Sequence, residues 1–218
     1  MRTNPQVVDG WNRNNHYHDR LLAALPAGCE RALDVGCGLG TFARRLASVA
    51  AHVDALDRDP DVVARAACYS QDVLNLRFVE ADFLTWQPPT TYDAVSMLAV
   101  LHHMPFRAAL TKAVALLRPG GVLLVLGLER SPSLLFYLVT GTVATLLGAY
   151  YRVVYQSSHV GAPIVEPEMT LREIREECAS LLQGATIRRH AHVRYTLIWA
   201  KPRAPSVISC APIPGGTA

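Results

Sequence analysis

Residues 31–42 read RALDVGCGLGTF. A short apolar run ends at Val35, glycines occupy positions 36, 38 and 40, and a helical pattern, TFARRLASVA, follows at once. Glycine supplies positive φ and removes the side chain that would keep a backbone away from its neighbour. A turn this rich in glycine, set between a strand and a helix, brings the main chain close to something. The cradle of a phosphate or nucleotide ligand is built this way. A tight turn with no ligand is the alternative.

The rest of the first two thirds repeats that grammar. AHVDALD and YDAVSML read as strands, LRFVEAD as a strand with alternation, and GGVLLVLGL as a fully buried strand. PDVVARAACYS and FRAALTKAVALL read as helices, the first with Pro60 in its opening turn. Short apolar strands alternating with helices of about ten residues imply a parallel sheet covered on both faces. The pattern changes after Glu129. Residues 131–151, SPSLLFYLVTGTVATLLGAYY, carry no charge. Next come a loop rich in small residues, a helix LREIREECASLL, and two strands, ATIRRHAHV and YTLIWAKP. Thr170 and Glu173 have the spacing of a capping box at that helix's start, and Gly184 follows its end. The final residues, 202–218, are rich in Pro and Gly and are expected to be disordered.

Composition excludes several classes of function. At 218 residues, half of them hydrophobic, the chain can bury a sizeable core. A net charge of +3 with no dense Lys/Arg run argues against a nucleic-acid partner. The opening residues MRTNPQVVDGWNRNN hold no apolar signal segment. Cys29, Cys37, Cys68, Cys178 and Cys210 lie far apart without a C-x-x-C, as free thiols of a reducing cytoplasm would. Metal-ligand spacing of the zinc type is absent, so no metal is expected.

The spacing of the loop narrows its ligand. A dinucleotide fingerprint, G-x-G-x-x-G, started at Gly36 would place its third glycine at position 41, which is Thr41. The spacing is G-x-G-x-G, with Asp34 two places before the first glycine. A carboxylate there sits poorly against a pyrophosphate and suits a ligand bearing an amino group. A nicotinamide dehydrogenase is therefore disfavoured.

Five segments in order, LDVGCGLGTF, VDALDRDP, FVEADF, YDAVSMLAVLHHM and LRPGGVLLV, resemble the class I S-adenosylmethionine-dependent methyltransferases. The likeness is greatest to the small-molecule branch related to ubiquinone and menaquinone methyltransferases, and it covers about residues 31–128. The resemblance implies an α/β Rossmann-like fold: a seven-stranded, mostly parallel sheet with helices on both faces, the last strand antiparallel and inserted beside the fifth. A single domain over 1–201 is expected, with residues 1–30 as an N-terminal cap and 131–160 as a helical lid. S-adenosylmethionine (SAM) is the implied cofactor. Gly36, Cys37, Gly38 and Gly40 would pass its methionine part, with Asp34 beneath. Asp57 would accept from the ribose hydroxyls, or alternatively cap the following helix. Arg58 would lie beside the adenine, and Asp82 would accept from the adenine amino group or be a plain loop residue. Phe83 would pack on the ring, and Leu98 and Ala99 would border the methyl group. Cys37 is read as a small residue without a redox role.

Methyl transfer is a direct displacement that requires alignment and, for some acceptors, a general base. Histidine suits that task near neutral pH. His102 and His103 follow the fourth strand, at the sheet's carboxyl edge; alternatively they only bond backbone and start the next helix. In the N-terminal cap, Tyr17 is placed toward the cofactor carboxylate, His16 and His18 toward the acceptor. A solvated helix face is the other reading of these three. His159 and Tyr137, in and after the uncharged run, are candidate substrate contacts. The segment SMLAVL lacks both the [N/D]-P-P-[Y/F] of base and glutamine methylation and the carboxylates of magnesium-dependent catechol enzymes. A metal-free enzyme for a small, apolar or aromatic acceptor is expected. Its competitor is a protein of the same fold that binds SAM without transferring the methyl group, as a cyclase-like or regulatory module. The run 131–151 has a membrane span's length, but as a span it would separate the last two strands from their sheet. It is read as a lid, with contact to a membrane surface as the alternative. Oligomeric state is left open.

Overall fold

The protein is described by a computed structural model over residues 14–130, 165–190 and 193–203. The expected lid, with Tyr137 and His159, and the tail beyond 203 lie outside the described residues. A short turn, Asn15–Tyr17, leads into α1 (His18–Leu22). Strand β1 (Arg31–Val35) is followed by α2 (Thr41–Ala47), β2 (His52–Asp57) by α3 (Pro60–Cys68), and β3 (Leu76–Glu80) by β4 (Tyr92–Leu98). Then come the turn Leu101–His103, α4 (Phe106–Leu116), β5 (Leu117–Leu128), α5 (Leu171–Leu181), β6 (Thr186–His190) and β7 (Arg194–Ala200).

These strands form one sheet in the order β3-β2-β1-β4-β5-β7-β6. The first five pair in parallel, and β7 runs antiparallel between β5 and β6. This is the topology that the resemblance implied. Order reverses beside β1, because β2 lies on one side of it and β4 on the other. In open α/β sheets such a reversal leaves a crevice at the strands' carboxyl ends.

Alternate residues of the buried strands feed two cores. Leu33, Val35, Val95, Met97, Leu123 and Val125 face α4 and α5, meeting Leu110 and Ile174. Ala32, Ala94, Leu124 and Leu126 face the other way and meet Phe42 and Leu46 of α2 and Leu21 of α1. The helices begin where the local chemistry allows. Asp59 caps α3, accepting from the N–H groups of Asp61 and Val62 at 3.0 and 3.2 Å, with Pro60 in the first turn. The capping box of Thr170 and Glu173 opens α5 as its spacing predicts. Strand β5 starts three residues earlier than its apolar run suggests, because Leu117 pairs with Tyr92 before a register shift.

The antiparallel insertion has its own steric condition. Gly127 of β5 stands opposite Tyr195 of β7, and a Cβ on Gly127 would fall 2.2 Å from the Tyr195 ring. Gly127→Ala is expected to lower stability by about 1–3 kcal/mol or more, the cost of overpacking a filled core. Urea denaturation of the variant checks this, and the further change Tyr195→Leu, which removes the ring, should restore part of the loss.

Candidate functional site

The carboxyl ends of β1, β2 and β4 enclose a cleft of about 510 Å³, within the range of small-molecule sites. The three glycines of its loop are there for different reasons. Gly36 has φ +66°, and a Cβ on it would land 2.3 Å from Cγ2 of Val100. Gly40 caps α2 at φ +78° under the Phe78 ring. Gly38, at φ +54°, faces open space: a Cβ there would meet nothing within 4 Å. Gly36 and Gly38 are at the cleft lining and Gly40 is not; packing fixes Gly36 and Gly40, while Gly38 leaves its space to the cleft.

Val100 reaches Gly36 because the preceding residue bends the chain. Ala99 adopts φ +53°, a conformation that residues with a Cβ visit at a cost. Its N–H donates to the Leu126 carbonyl at 2.7 Å, so the neighbouring strand holds it there. The Val100 carbonyl then accepts from the His103 N–H at 2.9 Å and starts the histidine turn.

Acidic groups line the other wall. Asp57, at the end of β2, accepts from the Gly38 N–H at 2.9 Å and, through its second oxygen, from the Asp59 N–H at 3.2 Å. It does not cap α3; Asp59 does. Asp34 is 2% exposed and stands opposite Ser96 in register. Burial pushes its carboxyl up to about 7 against the lowering effect of the Ser96 bond, and nearby Asp57 adds to the rise. The Ser96 hydroxyl lies 2.7 Å from Asp34 Oδ1 and 3.1 Å from the Leu33 carbonyl. When Asp34 is protonated its O–H can donate to the Ser96 oxygen while the Ser96 O–H donates to the Leu33 carbonyl; when Asp34 is ionised the Ser96 O–H donates to Asp34 Oδ1. Cys37 is buried between them, and burial, with Asp34 and Asp57 next in weight, pushes its thiol far above the ordinary value. A thiol so held stays protonated and unreactive.

Asp82, Phe83 and Leu84 border the cleft beyond β3. Asp82 is exposed and accepts from the Leu84 N–H at 2.7 Å, while Phe83 is 4% exposed. Arg58 and Leu98 are also at the lining. Of the histidines, His18 and His103 line the cleft. His18 is buried with its ring edge-on to Phe42. His102 is not at the lining; its ring centroid is 4.1 Å from that of His103. Burial, then the proximity of His103, pushes His102 down to about 4, and its buried Nδ1 has no hydrogen-bond partner among the described residues. Burial, then Arg58, lowers His103. His16 is exposed, and Tyr17 packs on the His190 ring at 4.7 Å; neither is at the lining.

Several lining residues escaped the sequence reading. Asn14 and Asn15 close the N-terminal side, with Asn14 accepting from Arg194 at 3.0 Å. Only their polar run before an apolar helix hinted at them. Thr41, the residue that breaks the dinucleotide spacing, is at the lining too, as are Met104 and Pro105. Among the described residues no group of three or more His, Cys, Asp or Glu is arranged to hold a metal, and no helix is long and apolar enough to cross a membrane.

Residues 32–121 match the methyltransferase domain family. An uncharacterized methyltransferase of Mycobacterium tuberculosis (strain ATCC 25618 / H37Rv) is 38% identical over 195 residues, spanning 88% of this chain and 98% of its own length. A ubiquinone biosynthesis O-methyltransferase of Xanthomonas campestris pv. campestris (strain B100) is 32% identical over 160 residues, spanning 69% of this chain and 66% of its own. The crystal structure of the N-methyltransferase NodS from Bradyrhizobium japonicum WM9, in complex with S-adenosyl-L-homocysteine, shares the fold. It has a TM-score of 0.59 at 17% identity and covers 88% of this chain and 89% of that one. The chain belongs to the class I S-adenosylmethionine-dependent methyltransferases.

The unequal glycines make a direct test. Gly38→Ala meets only the strain of positive φ, about 1–2 kcal/mol. Gly36→Ala meets that strain and the Val100 side chain, so its loss should reach about 3 kcal/mol or more. Thermal and urea denaturation of both variants check the order; equal losses would mean that Val100 gives way freely.

Proposed function

We propose that this methyltransferase acts on a small organic acceptor, apolar or aromatic, without a metal ion and with a histidine as general base. One observation carries the reading. Asp34, Asp57 and Asp82 share one cleft with His103, over a Gly38 that leaves its space open.

The residues fit the cofactor end to end. Asp57 keeps spare lone pairs on both oxygens and is assigned to the ribose hydroxyls. Asp82 and Phe83 take the adenine, with Arg58 at its edge. Asp34 serves the amino group of the methionine part, with Gly36, Cys37, Gly38 and Gly40 along its chain. Leu98 and Ala99 border the transferred methyl. When bound, S-adenosylmethionine supplies an electrophilic methyl group open to in-line displacement.

The chain's part is alignment and proton removal. His103 is held by the Val100 turn at the cleft, and burial, then Arg58, lowers its pKa and so favours the neutral imidazole. A neutral ring nitrogen accepts the proton of an acceptor hydroxyl or amine. His18 and His102 are the next candidates, with His18 better placed because it lines the cleft. Leu98, Met104 and Pro105 supply an apolar wall, which supports an aromatic or apolar acceptor. The relative named for ubiquinone biosynthesis supports an aromatic hydroxyl. Metal independence is supported by Met97, Leu98 and Ala99, at positions where the catechol-type chemistry needs carboxylates.

The cofactor assignment is tested by calorimetric titration with S-adenosylhomocysteine. Asp57→Ala should lose at least tenfold in affinity, about 1.4 kcal/mol, while remaining folded by circular dichroism. Wild-type affinity in the variant would overturn the assignment. Release of S-adenosylhomocysteine with phenolic acceptors separates a methyltransferase from a binding module.

Asp34 adds a pH dependence. With its pKa raised to about 7, the free protein holds a proton on Asp34 below that pH. An ammonium group beside it favours the ionised form, so binding lowers this pKa and expels the proton. Affinity should climb as pH rises toward about 7 and level off above it. Titration in buffers of differing ionisation enthalpy should show proton release below pH 7, and Asp34→Asn should abolish it.

A further inference from the structure

Lys112 stands on α4, behind the loop that carries Asp82 and Phe83. It is not at the cleft lining. Its ammonium donates to the Leu84 carbonyl at 3.0 Å and to the Trp86 carbonyl, and it sits 5.5 Å from the Phe83 ring centroid. The same loop is closed from within. Asp82 accepts from the Leu84 N–H at 2.7 Å, and the Trp86 N–H donates to the Asp82 carbonyl at 2.9 Å. Asp82 thus folds the turn, and Lys112 gathers the two carbonyls that the turn presents to α4. The amine is half-buried, and that burial lowers its pKa.

We propose that Lys112 is a positioning residue for the adenine end of the cofactor site, acting through the loop 82–86. The inference rests on the assignment of Asp82 and Phe83 to the adenine. Two carbonyls that converge on one ammonium fix a loop more tightly than either bond alone, and charge-assisted bonds are the stronger kind. Phe83 lies between its neighbours with the cation near its ring, so the ring's place follows that of the ammonium. Without the amine the two carbonyls must find water, and the turn is held only by Asp82. The loop then samples arrangements in which the Asp82 carboxylate and the Phe83 ring leave their places at the cleft. Cofactor affinity falls by the fraction of time so spent. Arginine carries the charge, yet its wide planar fork cannot reproduce a point donor between two carbonyls.

The test is a double-mutant cycle read by calorimetry with S-adenosylhomocysteine, using the full chain. Lys112→Met should weaken binding about tenfold, and Lys112→Arg should recover part of that loss. Asp82→Ala should weaken binding about tenfold by itself. If both act through one loop, the double variant should lose much less than the hundredfold that independent sites would give. Wild-type affinity in Lys112→Met, or a hundredfold loss in the double variant, would overturn the proposal. So would a Lys112→Met loss matched in size by Lys112→Arg with an unchanged Asp82 contribution. Should Lys112→Met fail to fold, Lys112→Arg and its cycle with Asp82→Ala carry the same decision. Failure of the parent protein to bind S-adenosylhomocysteine would instead sink the cofactor assignment, a result distinct from any of these.

Discussion

Val100 over Gly36 is the contact on which the cleft depends. It joins two segments that are far apart in sequence, the glycine loop after β1 and the turn after β4. The space is too small for any Cβ, so the loop cannot carry another residue there without moving the turn. The turn in turn is pinned by the Ala99–Leu126 hydrogen bond to β5. A locally unfavourable backbone is held because the central strands of the sheet hold it, which is how strain persists near functional sites. From this one contact the spacing between cofactor loop and histidine turn follows.

The second organising feature is a set of carboxylates with different surroundings. Asp57 is tied to two backbone amides and sits at the cleft surface, where its oxygens keep acceptor capacity. Asp34 lies one layer below, buried, with a single hydroxyl for company. Similar groups in dissimilar places differ in what they offer: Asp57 presents acceptor oxygens at the cleft surface, while burial raises the pKa of Asp34. Asp54 shows the structural use of the same chemistry. It accepts from Arg77 and from the buried Tyr92 hydroxyl, and thereby links β2, β3 and β4 away from the cleft.

Much of this is legible in the sequence because the central strands β1, β4 and β5 are buried on both faces and read as apolar runs, while the edge strand β3 shows itself by alternation. The glycine loop, the carboxylate after β2 and the histidine pair are local signals, carried by neighbouring residues. Where the outcome depends on distant residues, the sequence said less. The glycines at 36, 38 and 40 look alike in a string, and only the positions of Val100 and Phe78 distinguish them. Ala99 carries no mark of its left-handed backbone. Asp57 reads as a possible cap of the next helix, but Asp59, directly before Pro60, takes that place and leaves Asp57 to the glycine loop. The N-terminal segment that the resemblance lays over the cofactor holds His16, Tyr17 and His18 alike. In a short helix adjacent residues point in different directions, so His18 enters the cleft while Tyr17 turns to His190.

The cleft therefore has two halves built by different means. In the proposed assignment the cofactor half comes from β1, β2 and β3, whose carboxyl ends bring Gly38 and the carboxylates of Asp34, Asp57 and Asp82 to one cleft. The half proposed for the acceptor is lined by the turn after β4 and by Asn14, Asn15 and His18 before β1. That N-terminal edge is tied to the far side of the sheet: Arg194 of β7 donates to Asn14, and Tyr17 rests on His190 of β6. The antiparallel insertion of β7 beside β5 is what brings Arg194 there, opposite Leu128. Strands away from the glycine loop thus hold the N-terminal wall of the cleft. A fold arranged this way can keep its cofactor chemistry while the acceptor changes, because substitutions in the β6–β7 hairpin or the N-terminal turn reshape one wall and leave the glycine loop and its carboxylates in place.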